Sequence, residues 1–482
     1  MFDTSFFLFL KALLINIFLP LIPGVLFFWL TMWNKIKWIN FYLVSWFLWI
    51  WMLSYSIFNL QFFYSSITII SYFLVVFILI LLYLVKIYFS KVSFLEYFKC
   101  LRINSPFLKI INSFKNLKKW QKIFWIIMFL FIFFSGLISL LYTSNFPSYA
   151  DDSFWNWNAS SINIYYDKWI KLFWDKTEIL WRWRIWYPIF FSIYKAMFSQ
   201  FFWSWNDIFI KQFQWLIVYL GLLFIFSISF ERTKSIFYAL IPCTLILWLP
   251  LTFFHSVESY MELSSTFYTI FCLYYLFLFL ETRDYQFLTL WTIFWLILSN
   301  IKNEWLIVYL PWVIIPFFGY IILKWEFKIF FISLFRSKIE SLKIWLLILY
   351  YFIPFLIVRL VNNLSLNPVW KTATDVWITK IHSEIFPVMP VIFFNEDNYN
   401  IFPILIILCF IFIYQNRKKI YILDFWPIIP WLVIFTIFFV VFLITDNYKW
   451  VLDQTTVNRV FTTSFIIFWA FSSIVISKLN EK

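Results

Sequence analysis

Stretches of about 20 apolar residues recur along this chain from end to end, and each is long enough to cross a hydrocarbon layer of about 30 Å. A backbone placed in that layer has no water to bond to, so each stretch must close its hydrogen bonds internally as a helix. Only 13% of the 482 residues are charged, about half the usual share of a soluble domain. The expectation is an all-α polytopic membrane protein. About thirteen spans are predicted, near 5–32, 39–60, 66–89, 123–143, 206–230, 235–253, 263–280, 286–299, 305–323, 343–361, 401–414, 425–444 and 459–477. The first is too long for a signal-peptide core and no small-residue cleavage site follows it, so it reads as a retained span.

Charge orients the spans. With residues 90–121 on the cytoplasmic side, the loops on that side hold 24 Lys and Arg against 8 Asp and Glu. The opposite set holds 13 against 16, and Lys11 sits inside the first span. This split follows the positive-inside rule. The net charge of +14 is thus a topology signal, and nucleic acid is not an expected partner. The basic stretch 107–122 is expected to lie against anionic membrane lipids. The four cysteines, Cys100, Cys243, Cys272 and Cys409, have no CxxC or other close spacing and read as packing residues rather than disulfides or metal ligands.

This orientation leaves four polar loops on the outer face: 144–204, 254–262, 362–400 and 445–458. Long connections are usually functional, so the outer face is expected to carry the work. "YADDSFWNWNASS" (149–161) places Asp151 and Asp152 just after the fourth span. Beyond it, Ile162, Tyr166, Trp169 and Phe173 share one face of 162–176, with Asp167, Lys168, Lys171 and Asp175 on the other. That pattern predicts an amphipathic helix in the interface, and 187–202 reads as a second. The outer loop after the fourth span is therefore expected to be partly helical. More ionisable groups recur on this face: His255, Glu258 and Glu262 in 254–263, then Lys302 and Glu304 in "NIKNEW". Charges close to membrane depth are costly and usually functional. In the bland reading Asp151 and Asp152 cap a helix, Lys302 and Glu304 form a local ion pair, Arg459 snorkels at a helix end and His255 is merely hydrogen-bonded.

The succession of an acidic pair, "RIWYP" (184–188), "HSVESYMELSSTFY" (255–268) and "KNEWLIVYLPW" (302–312) resembles the integral-membrane glycosyltransferases of the GT-C fold. These are relatives of the protein O-mannosyltransferases and of the aminoarabinose and lipopolysaccharide-core transferases. The likeness covers about 145–312 and, more faintly, 445–465. It implies residues 1–122 as an extension of spans with a basic cytoplasmic loop. A catalytic core over 123–323 would carry the outer loop 144–204, and 324–482 would carry C-terminal spans with outer loops 362–400 and 445–458. It implies a polyprenyl-phosphate-linked sugar donor, transferred to a lipid, glycan or protein acceptor at the outer face of the plasma (inner) membrane.

By that resemblance Asp152 or Asp151 is the catalytic base, with Asp152 preferred, since a hydroxyl attacking the sugar must give up its proton. The leaving lipid phosphate implies cations, for which Arg182, Arg184, Lys302 and Arg459 are the candidates. Tyr187, His255, Glu258, Glu262 and Glu304 complete the expected donor or substrate set. No cofactor is fixed by the sequence, and a divalent metal at Asp151 and Asp152 stays open. A lipid-linked saccharide flippase or an O-antigen ligase or polymerase is the alternative. No P-loop, dinucleotide, zinc-protease or nucleophile-elbow motif is present.

One departure from the family pattern is systematic. "KNEW" stands where relatives commonly read Lys-Asn-Glu-Gly, and "WRWRIWYP" fills what reads as a glycine-rich turn. The chain has 31 Trp and only 4 Gly, whereas Gly alone averages about 7% of residues. The counts point to many of these Trp positions being UGA codons read as glycine. The competing reading is a heavy interfacial Trp belt.

Overall fold

The structure is a computed structural model that describes residues 2–31, 39–61, 63–64, 66–90, 106–148, 158–168, 190–258, 260–301, 338–361, 381–394, 402–415, 429–445, 448–452 and 457–480. The described residues form helices and no strand. In order these are α1 (Phe2–Thr31), α2 (Ile39–Leu60), α3 (Ile69–Ser90), α4 (Pro106–Lys115), α5 (Lys119–Asn145), α6 (Ala159–Asp167), α7 (Phe190–Phe202) and, after a 3-10 turn at Phe209–Lys211, α8 (Gln212–Thr233). Then come α9 (Ile236–Trp248), α10 (Pro250–Val257), α11 (Met261–Thr282), α12 (Tyr285–Ser299) and α13 (Lys338–Val361). The series ends with α14 (Ile385–Phe394), α15 (Phe402–Gln415), α16 (Ile429–Ile444), α17 (Tyr448–Leu452) and α18 (Val457–Asn480).

Six of the described helices are long and apolar enough to cross a bilayer, or seven if the bent pair α9–α10 is one span. The chain is a polytopic helical membrane protein. Helices also occur at the other expected spans among the described residues, outside these six or seven, and the expected span at 305–323 lies outside the described residues.

Burial sorts the helices into a centre and a rim. α2 and α11 are buried along nearly their whole length, while α3 and α5 expose most of theirs. The apolar side chains exposed on that rim, such as Phe77, Leu81, Phe129 and Phe133, face where lipid tails would lie. α8 packs on α9, α11 and α18, and α11 packs on α12. Aromatic rings fill this centre: Phe224 stacks on Phe271 at 3.9 Å, and Phe271 stacks on Phe294 at 4.8 Å. Glycine marks a close backbone crossing. A Cβ on Gly24 of α1 would lie 2.3 Å from the Ser45 carbonyl oxygen of α2, so only glycine permits the approach.

Three expectations change. The span at 235–253 is not straight: α9 and α10 meet at a bend of 76° at Leu249. Pro250 lacks an N–H and its ring would clash with the carbonyl four residues earlier, so the helix breaks and restarts with Pro250 in its first turn. The amphipathic helix expected over 162–176 stops at Asp167, where Lys168 turns left-handed at φ 58° and donates its N–H to Ile164 O. Residues 169–176 lie outside the described residues. The helix expected to lie in the interface at 187–202 is α7, and it is buried among α1, α2, α3 and α6. Its polar residues Ser192, Lys195 and Ser199 are buried too, so its amphipathic pattern faces protein partners rather than water.

Glycine scarcity also shows at helix ends. Left-handed residues after α6, α8 and α11 are Lys168, Lys234 and Arg283, where glycine is the usual choice. A cation there partly offsets the steric cost by complementing the helix dipole.

Candidate functional site

The site grows from five helix ends that meet at one end of the bundle. The C-termini of α5 and α10 and the N-termini of α8, α11 and α18 converge there, joined by α6 and α7. Asn206 fixes the start of the 3-10 turn by accepting from the N–H groups of Ile208 and Phe209, each at 3.0 Å. The next residue along, Asp207, reaches back across sequence. Its Oδ2 accepts from Ser148 N at 3.0 Å and its Oδ1 from Asn158 Nδ2 at 2.6 Å. Asn158 Nδ2 also donates to Ser148 Oγ at 3.2 Å.

Behind this junction lie two buried lysines. Lys195 of α7 donates to Asn158 Oδ1 at 2.6 Å, and its ammonium lies 4.9 Å from the Phe191 ring centroid. Its pKa is lowered to about 7, chiefly by burial, with Asp207 and Glu258 opposing the drop and Lys211 adding to it. Lys211, from the 3-10 turn, pairs with Glu258 Oε1 at 3.1 Å and donates to Pro147 O at 3.1 Å. Glu258 lies between α10 and α11 because the break at Leu249 turns α10 back toward this junction. Its Oε2 is buried with no hydrogen-bond partner among the described residues.

A second layer adjoins this pair. Gln214 Nε2 donates to the carbonyls of Tyr260, at 2.9 Å, and His255, at 3.3 Å. The buried His255 ring lies 4.9 Å from Tyr260. Glu262 at the start of α11 meets Arg459 of α18 at 3.7 Å, and the Arg459 guanidinium lies 5.1 Å from the Tyr260 ring centroid. Thr266 and Thr463 share a hydrogen bond one turn deeper.

Of the residues singled out from sequence, His255, Glu258, Glu262 and Arg459 are described, and they come together here. Asp151, Asp152, Arg182, Arg184, Tyr187, Lys302 and Glu304 lie outside the described residues. The acidic pair is nevertheless bracketed, because Ser148 and Asn158 flank its segment and both are held by Asp207. Arg459, a candidate phosphate cation, is paired with Glu262 rather than snorkelling alone. No group of three His, Cys, Asp or Glu able to hold a metal ion occurs among the described residues.

Lys195, Lys211, Asp207 and Asn158 were not among the sequence candidates. A lone Lys within "FFSIYKAMF" or "DIFIKQF" is a costly insertion in an apolar run, and that cost was the available signal. Such an arrangement can hold a negatively charged group near several fixed cations.

No protein-family model, curated protein or solved structure matches this chain.

Proposed function

We propose that this chain is a GT-C-type membrane glycosyltransferase that moves a sugar from a polyprenyl-phosphate donor to an acceptor at the outer face of the plasma (inner) membrane. The observation that carries the reading is that Asp207 holds both Ser148 and Asn158, the described residues on either side of the acidic pair in sequence. Ser148 and Asn158 are fixed to one carboxylate, Asp207, beside buried Lys195 and Lys211. A solvated cap would need no such framework, whereas a base must be held within reach of the proton it removes.

In the proposed reaction an acceptor hydroxyl oxygen attacks the anomeric carbon. The bond from that carbon to the phosphate oxygen breaks, and the electron pair leaves with the polyprenyl phosphate. The hydroxyl proton passes to a carboxylate of the first outer loop, Asp152 in preference to Asp151. Arg182, Arg184, Lys302 and Arg459 are the proposed partners of the donor phosphate, and Tyr187, His255, Glu258, Glu262 and Glu304 complete the substrate set. Neutralising the leaving phosphate by fixed cations lowers the barrier without solvent rearrangement. The acceptor class, lipid, glycan or protein, is open to the same assay.

The test is sugar transfer from native polyprenyl-phosphate donors in reconstituted vesicles. Wild type is compared with Asp151→Asn and Asp152→Asn after equal insertion is verified. Loss of turnover in one variant with donor binding retained supports the reading and identifies the base. Equal transfer by both variants removes the acidic pair from the mechanism. Labelled lipid crossing the bilayer without transfer replaces the reading with a flippase.

A further inference from the structure

We infer that α4 and the corner joining it to α5 form a docking surface for anionic phospholipid headgroups, at the end of the bundle opposite the candidate site. Between Glu96 and Asp151 the chain carries seven Lys and Arg and no Asp or Glu. α5 has 27 residues, so its first residue lies about 40 Å from the Asn145 end that meets the candidate site. The inference therefore stands apart from the transferase reading.

α4 has three sides where a helix docked on protein needs two. Ile110 and Phe114, with Leu117 just past the helix end, pack on Phe230, Ile236 and Ala239 of α8 and α9. Ser113 lies on the same side by helical spacing. Its Oγ accepts from Ile236 N at 3.0 Å and donates to Lys234 O at 3.3 Å, which fixes α4 on the turn between α8 and α9. Lys109, Asn112 and Asn116 are exposed and form a polar side. The remaining side carries Leu108, Ile111 and Lys115. Leu108 is 60% exposed and Ile111 47%, so two large apolar side chains have no protein cover at a strongly basic surface.

That side adjoins the rim of the bundle. Phe114, three residues on from Ile111, has its ring centroid 5.0 Å from that of Trp125 in α5. Lys122 Nζ lies 5.9 Å from the Phe114 centroid. Just beyond the corner α5 exposes Ile123, Phe124 and Ile127, the start of the rim that faces lipid tails. Lys115, Lys118 and Lys119 are exposed around the same corner. The ion pairs among the described residues lie elsewhere, and none of these lysines has a carboxylate partner there. Apolar groups continuous with the rim and bordered by cations without counter-ions match the boundary where acyl chains meet headgroups. The lysines select the headgroup: an anionic phosphodiester supplies the missing charge, whereas a zwitterionic one brings its own cation. A soluble acidic protein would match the lysines but would not account for the continuity of Leu108 and Ile111 with the α5 rim.

The test uses the full chain in vesicles of phosphatidylcholine, alone or mixed with phosphatidylglycerol. A charge variant combines Lys115→Gln, Lys118→Gln and Lys119→Gln. An apolar variant combines Leu108→Ser and Ile111→Ser. These positions are all exposed, so both variants should fold. The first readout is hydrogen–deuterium exchange of peptides covering 106–117. In wild type, exchange should slow when phosphatidylglycerol is present, and the slowing should shrink at high salt. The charge variant should exchange alike in the two vesicles. The apolar variant should exchange faster than wild type in both.

The second readout is native mass spectrometry of the purified chain, counting phosphatidylglycerol retained in competition with phosphatidylcholine. Each lysine removed should lower that preference by up to about five-fold at low salt. Equal exchange of wild-type 106–117 in the two vesicles overturns the inference, as does a charge variant that responds like wild type. Slowing by a soluble protein extract, with none by phosphatidylglycerol, makes the surface a protein-docking face and overturns it equally. If the charge variant fails to insert, wild type at low and high salt decides, since a response indifferent to salt is fatal too. Sugar transfer enters neither readout, so failure of the transferase reading leaves this result untouched.

Discussion

Lys211 Nζ stands 3.1 Å from Glu258 Oε1, and neither side chain reaches solvent. The two residues are 47 positions apart, so the pair staples the start of α8 to the break between α10 and α11. A buried pair is weak support for stability in itself, because desolvating both charges cancels much of their attraction. Breaking it from one side is another matter. Lys211→Met leaves the Glu258 carboxylate buried and uncompensated, which costs about 3–5 kcal/mol. The double change Lys211→Met with Glu258→Leu should recover most of that loss. Unfolding midpoints in vesicles for the two singles and the double check this, and simple additivity would sink it.

Asp207 is expected to matter more than its half-exposed position suggests. It accepts two hydrogen bonds from residues 59 and 49 positions away. Asp207→Ala strands the Ser148 N–H and leaves the Asn158 amide only Ser148 Oγ, at about 1–3 kcal/mol for each hydrogen bond left unmade. Limited proteolysis should then cut within 149–157 faster than in wild type, with the rest of the chain resisting as before. Cleavage at wild-type rate would overturn this expectation.

The reach of sequence reasoning follows from what each signal encodes. Span length is written locally in apolar runs, so 39–60 emerges as Ile39–Leu60 and 263–280 as Met261–Thr282. The bend at Leu249 had a local signal in Pro250, but a single hydrophobic stretch hides which way a broken span turns. For 187–202 the pattern gave a second amphipathic helix, but carried no information on whether its polar side met water or protein; here Lys195 meets Asn158. Glu258, Glu262 and Arg459 were legible because charge is scarce in this chain as a whole. The partnerships of Lys211 and Asp207 were not, because they join segments tens of residues apart.

Trp203 bears on the glycine shortage. It follows α7 at φ 72° and is 79% exposed, the left-handed position at a helix end where glycine is preferred. Holding a side chain there costs about 1–2 kcal/mol. The Lys11 ammonium lies 4.8 Å from the Trp203 ring centroid, which returns about 0.5–1 kcal/mol at an exposed site. Trp203→Gly should therefore stabilise the fold slightly. Trp49 points the same way: its buried indole N–H meets no acceptor among the described residues, and it packs beside Gly24, where small residues let helices approach. Trp46, by contrast, donates to Asn16 O at 3.0 Å and behaves as a true indole. The measurement is the intact mass of the chain purified from its native cells, with codons read alongside. A lighter mass, with UGA at 203 and 49, confirms reassigned glycine; UGG at nearly all 31 positions ends the idea.

The last prediction concerns pH and Lys195. Its folded pKa, drawn down by burial to about 7, lies below its ordinary value of 10.5. Between those values the unfolded chain binds more protons at this site than the folded one, so stability rises with pH. Below about pH 7 both states carry the proton and the full desolvation penalty is present; above 10.5 neither does, and the penalty is gone. The slope contributed by this one group approaches about 1.4 kcal/mol per pH unit inside the window. Lys195→Met removes the slope. It also leaves the Asn158 carbonyl without its donor, but that loss shifts the whole curve by a constant and does not tilt it. The diagnostic is thus the difference between wild type and Lys195→Met unfolding free energies measured at several pH values. It should move in favour of wild type as pH climbs above 7. A flat difference, or one that moves the other way, would mean that Lys195 stays protonated in the fold and that Asp207 and Glu258 outweigh its burial.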